Sequence, residues 1–184
     1  MKKGIFTALL LLSTQLFSAP PPDQLADYRA ALQKELDNRA LAARVVAALA
    51  KHHRGTPQGD FWSAYSTLEA RQWARYIKHS ERHDLTAGRY FIWCKAQASI
   101  LFAKAFPERF IATLANATAV YASKLETISP PETDQAFWNY VIDQEHAQAT
   151  AFNHALNHDF LSARHTLDVF LEAAWKNVEG MPSQ

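Results

Sequence analysis

Glycine is scarce in this chain, five residues in 184, and no segment alternates strongly between apolar and polar side chains. A sheet needs both turn residues and period-two patterning, so the composition argues against a β fold. Only one cysteine is present, Cys94. No intramolecular disulfide can form, and the fold must hold by packing. Cys94 sits in an apolar run and is expected to be a small buried side chain. Net charge is only +1, which argues against a surface built as a whole for nucleic acid or anionic membrane and leaves room for a local patch alone. Also missing are a Gly-x-Ser-x-Gly elbow, a phosphate-cradling loop, a dinucleotide fingerprint, a Cys-x-x-Cys pair and any strict zinc-protease or finger motif. These absences lean the reading away from an enzyme and assign no cofactor.

The N-terminus carries the one long apolar run. Lys2 and Lys3 precede residues 5–17, and Ser18-Ala19 and Pro20-Pro21-Pro22 follow. This is the pattern of a bacterial secretory signal. The run falls short of the ~20 residues that span a bilayer. The expected organisation is a signal peptide over 1–19 and a single domain over 20–184, with no stable transmembrane span in the mature chain. The expected location is the periplasm, with full secretion as the alternative.

What the chain has in abundance is helical pattern. Alanine is frequent and the apolar period is that of a helix, so the predicted class is all-α: about six helices in one bundle. They are predicted over 23–51, 60–82, 84–106, 108–127, 134–157 and 160–178, with Asp23, Asp60 and Asp84 as caps and Pro107 in the first turn of the fourth. Gly180 and Pro182 stop the sixth. The third helix, apolar nearly all round, is expected at the centre of the fold.

One pattern occurs twice. Phe61-Trp62, Glu69 and Gln72 recur as Phe137-Trp138, Glu145 and Gln148, and each set is followed by His-x3-His-Asp-x4-Arg: His79, His83, Asp84 and Arg89, then His154, His158, Asp159 and Arg164. It suggests an internally duplicated helical hairpin, second and third helices against fifth and sixth, over about 60–106 and 136–179. On a helical wheel Glu69 and Glu145 each fall in the middle of an apolar face. A buried carboxylate must be paired, hydrogen-bonded, protonated or metal-bound. Structural pairing is the favoured reading. A metal or small-ligand site between Glu69 and Glu145, with Gln72, Gln148 and His83, is the alternative. No Glu-x-x-His occurs, so the di-iron bundle pattern is not met.

His83-Asp84 and His158-Asp159 are read as helix-end chemistry, with Arg89 and Arg164 holding the turns. Arg71, Arg75, Lys78 and Arg82 form a basic stripe within about 60° on the second helix, a candidate partner surface. The functional expectation is an exported binding protein that engages a protein or cell-envelope partner and not nucleic acid.

Overall fold

Helix boundaries in the computed structural model, which describes residues 22–179 and side chains from 24 to 174, follow the local chemistry closely. The helices are α1 Pro22–His52, α2 Pro57–Glu81, α3 Arg89–Ala105, α4 Pro107–Leu125, α5 Gln135–Leu156 and α6 Phe160–Glu179; a 3-10 turn, Glu132–Asp134, precedes α5. No strand occurs among the described residues, and the all-α bundle of six helices stands. The signal segment and the Gly180 and Pro182 stop lie outside the described residues. None of the described helices is long and apolar enough to cross a membrane.

Two of the expected caps move. Thr56, not Asp60, caps α2: its side-chain oxygen accepts the Gly59 N–H at 3.1 Å, and Pro57 fills the first helical position. Asp60 stands in the first turn, where its charge complements the helix dipole. Asp84 does not cap α3, which starts five residues later. It terminates α2, with φ of 56° and the next N–H, Leu85, returning to the Ser80 carbonyl at 3.0 Å. An aspartate tolerates this left-handed backbone better than most residues do.

Helix α5 ends in the same way one position out of step. There the left-handed residue is His158, φ 59°, and the Asp159 N–H returns to the His154 carbonyl at 3.0 Å. Asp159 then caps α6 as expected, accepting the Ser162 N–H at 3.0 Å. The Phe-Trp, Glu and Gln positions of both copies are all buried. The likeness therefore covers the helices and breaks at the turns, and the fold does not establish a duplication.

The helices close a ring in the order α1, α2, α6, α5, α4, α3 and back to α1. Apolar packing forms two clusters. One gathers Val46, Leu49, Phe61, Trp62, Phe152 and Leu167. The other gathers Tyr28, Leu32, Leu36, Tyr76, Phe137 and Trp138. Polar side chains fill the space between.

Helix α3 is not central. Only Ile92, Ala96 and Ala103 are buried, while Tyr90, Phe91, Trp93 and Leu101 are exposed. Cys94, on the same helix, is exposed as well. The sequence pattern misplaced both because an all-round apolar helix is ordinarily a buried one. Here the inward face is a narrow one, Ile92 with Ala96 and Ala103, and most of the aromatic bulk points outward.

Candidate functional site

Arg39, on the inner face of α1, stands at the middle of the ring with 4% of its surface exposed. Its Nη1 donates to Glu69 Oε1 at 2.9 Å and its Nη2 to Glu145 Oε1 at 2.6 Å. Its Nε lies 3.8 Å from Glu35 Oε2, one turn earlier on α1. Glu35, Glu69 and Glu145 are all buried. The two glutamates of the repeated pattern therefore meet, and the group between them is a guanidinium. A planar fork with separate donors suits two carboxylates arriving from two helices.

The glutamines and tyrosines tie this centre to α2 and α5. Gln72 Nε2 donates to Glu69 Oε2 at 2.8 Å, and Tyr140 donates to Gln72 Oε1 at 3.0 Å. From α2, Tyr65 donates to Gln148 Oε1 at 2.9 Å and Tyr76 to Gln144 Oε1 at 3.0 Å. Burial holds the Tyr65 and Tyr76 hydroxyls well above the ordinary phenol range, so they serve as donors.

One guanidinium cannot neutralise three carboxylates. Burial pushes the Glu69 carboxyl up to about 7 against the opposing pull of Arg39. It pushes Glu145 up to about 8, with Glu35 and Glu69 adding their own charge to the effect. Desolvation and like charges thus act together at this centre to favour the protonated carboxyls.

His83 is elsewhere. Its Nε2 contacts Asp134 Oδ2 at 2.5 Å, and the buried Asp134 also meets Tyr28 Oη at 2.9 Å, His79 Nδ1 at 3.1 Å and Arg82 Nη1 at 2.9 Å. This second cluster ties α1, the end of α2 and the approach to α5. Desolvation would raise the Asp134 carboxyl, but hydrogen bonds from His83, Tyr28 and His79 hold it below the usual carboxylate range. Asp134 makes no cap for α5, because its oxygens are committed to these partners.

The basic stripe is partly engaged. Arg75 stacks 4.0 Å from the Tyr140 ring centre, and Arg82 pairs with Asp134. Arg71 and Lys78 remain exposed. Arg164 pairs along its own helix with Asp168 at 3.2 Å and reaches Asp60 of α2 at 4.0 Å, so it braces α6 against α2 and leaves its turn alone.

A cavity of about 800 Å³ opens between α1 and α4. Val45 and Val46 of α1, Phe110 and Leu114 of α4 and Phe152 of α5 supply apolar walls. Its buried lining includes Arg39, Tyr65, Glu145 and Gln148, so it reaches the polar centre. Exposed Lys34 and Lys124 line its outer part, and Lys34 Nζ lies 4.4 Å from the Tyr121 ring centre. Arg39 Nε, Trp62 Nε1 and Gln148 Nε2, all from residues of this lining, have no hydrogen-bond partner among the described residues.

Sequence reasoning found Glu69, Glu145, Gln72 and Gln148 but missed Arg39, Glu35, Tyr121 and Asp134. A signal for two of these was present. On a wheel Tyr28, Leu32, Glu35, Arg39 and Val46 fall within about 60° of one another, which marks an ionic pair on the apolar face of α1. Nothing local marks Asp134, whose partners come from distant segments.

Comparison of the chain with protein-family models, with curated proteins and with solved structures finds no match.

Proposed function

We propose that this protein is a non-catalytic binding protein that holds a small, largely apolar molecule in the cavity between α1 and α4. The observation that carries this reading is the cavity's reach to Arg39, Glu145 and Gln148. Concave, mainly apolar sites with a few convergent polar groups are the usual form of ligand pockets, and about 800 Å³ lies within their range. The deep end is polar, with Arg39, Tyr65, Glu145 and Gln148 in its lining. A complementary ligand therefore carries a polar group at that end. Three carboxylates already surround one guanidinium, which disfavours a further anion at the deep end and favours an uncharged carbonyl, ester or hydroxyl oxygen.

The N-terminal Lys2, Lys3 and residues 5–17 support an exported, periplasmic setting, where the ligand would be a cell-envelope component. The basic stripe of α2 supports a protein partner less well, since Arg75 and Arg82 have partners within the fold.

The test uses N-phenyl-1-naphthylamine, an apolar fluorophore. Saturable binding with one site per chain is expected, and Ala117→Trp, which partly fills the cavity from α4, should weaken it without lowering the melting temperature. Absent binding, or equal binding by the filled variant, would sink the proposal.

A further inference from the structure

The outward face of α3 is exposed and does not line the cavity. Tyr90 is 80% exposed, Phe91 68%, Leu101 69% and Trp93 51%. At 100° per residue, Tyr90, Cys94 and Leu101 lie within about 40° of one another, opposite Ile92, Ala96 and Ala103. Phe91 and Phe102 continue the face on one flank and Trp93 on the other. Exposed apolar surface of this extent ordinarily marks an interaction site.

The ionised side chains of α3 itself have one sign, while Asp37 of α1 meets its N-terminus and Glu108 opens α4. Between Asp84 and Glu108 the chain has no acidic residue, and its ionised groups there are Arg89, Lys95 and Lys104, with Arg109 just beyond. None of these four is in an ion pair among the described residues. Lys95 falls beside Phe91 and Phe102 on the wheel and Lys104 beside Trp93, so the cations edge the apolar face. Lys95 Nζ lies 5.3 Å from the Phe91 ring centre, and the Arg109 guanidinium lies 5.7 Å from that of Phe106.

We infer that α3 is a membrane-docking helix that lies flat in the headgroup region of an anionic lipid bilayer. An in-plane helix needs a wide apolar face, aromatic side chains at the interface and Lys or Arg along the edges, and α3 supplies all three. Long cationic side chains on the flanks can reach phosphates while their stems cover apolar surface. The helix is 17 residues long, roughly 25 Å, which is short of a bilayer core of ~30 Å, so it lies on the membrane and does not cross it. A second copy of the chain fits this face less well, because pairing would set the cations of one α3 against those of the other.

The test is partition of the full chain onto vesicles of equimolar phosphatidylglycerol and phosphatidylcholine, compared with phosphatidylcholine alone. Tighter binding to the anionic vesicles by about tenfold or more is expected, since each interfacial cation adds its own attraction to the anionic surface. The pair Phe91→Asp and Leu101→Asp should remove it while leaving the melting temperature in place, both residues being exposed. Comparing variant with parent cancels any contribution from residues 5–17. Acrylodan attached to Cys94, the only thiol, provides a readout that needs no core change: its emission should shift to the blue on anionic vesicles. Equal binding to both vesicle types, retention of binding by the double variant, or an unmoved acrylodan spectrum would overturn the inference. So would a wild-type dimer that ignores vesicles and that the double variant makes monomeric.

Discussion

Arg39 reaches Glu145, 106 positions further along the chain, at 2.6 Å inside the ring of helices. The same guanidinium holds Glu69 at 2.9 Å. Three separate helices are thus registered by one side chain, and the consequences can be measured.

Replacing Arg39 with Met should cost about 3–5 kcal/mol at neutral pH, because the change strands buried carboxylates without their cation. Urea unfolding measures it. The loss should be smaller at pH 5, where the glutamates can be neutralised by protons instead. Arg39→Lys should also destabilise, since an ammonium cannot serve two carboxylates as a fork does. Equal stability of wild type and Arg39→Met at pH 7 would contradict the account.

Stability should fall as pH rises from about 6.5 to 8.5. Burial raises the folded-state pKa of Glu69 to about 7 and of Glu145 to about 8. The folded protein therefore binds more protons than the unfolded chain once pH exceeds the ordinary carboxylate value. That stabilising contribution is complete below the unfolded pKa and is lost as pH climbs through the folded one. His79, lowered by burial against the pull of Asp134, has the opposite sign, and its contribution is lost as pH falls below the normal histidine range and through the lowered folded value. Above that range the glutamates alone set the slope. Glu145→Gln should flatten the dependence of the melting temperature on pH, and an unchanged slope would count against raised carboxyl pKa values.

Much of this was legible in the sequence and some was not, for identifiable reasons. Helix count and the inward direction of Glu69 and Glu145 follow from 3.6-residue periodicity, which reads one segment at a time. The identity of their partner required knowing that α1 lies across both α2 and α5, a tertiary fact. Helix α3 was misread because periodicity identifies apolar faces without saying whether anything covers them. Thr56 displaced Asp60 as the cap because Pro57 fixes the first turn three residues earlier than the acidic residue suggests.

Asp134→Asn should destabilise the fold by about 1.5–3 kcal/mol, the scale of hydrogen bonds to a charged group. Its depressed carboxyl pKa means that the wild-type advantage is present above the ordinary carboxylate value and disappears as pH falls through the folded one. The gap between wild type and variant in denaturant midpoint should therefore close in acid. A constant gap down to low pH would show that the charge of Asp134 is not what matters.

Cys94 should react with Ellman's reagent in the native state, one equivalent per chain and without denaturant, because it is exposed on α3. Reaction only after addition of urea would place α3 against another surface.

Gly59 sits in the first turn of α2 beside the His53 carbonyl, which a Cβ at that position would overlap. Gly59→Ala should lower the melting temperature although alanine favours helix, as backbone contact outweighs the usual preference of about 1 kcal/mol. A rise in melting temperature would mean that the α1–α2 corner can open at little cost.

The position of Arg39 also limits how the chain can be divided. The α2–α3 segment carries Glu69 and the α5–α6 segment carries Glu145, yet the cation that both meet in the core belongs to α1. Neither segment contains the cation that its own buried acid meets. On the ribosome, the arginine is made early and the last of its partners late, so the centre cannot close until α5 has emerged. Cut or permuted versions of this protein should therefore reassemble as a whole or stay open, with no hairpin stable by itself.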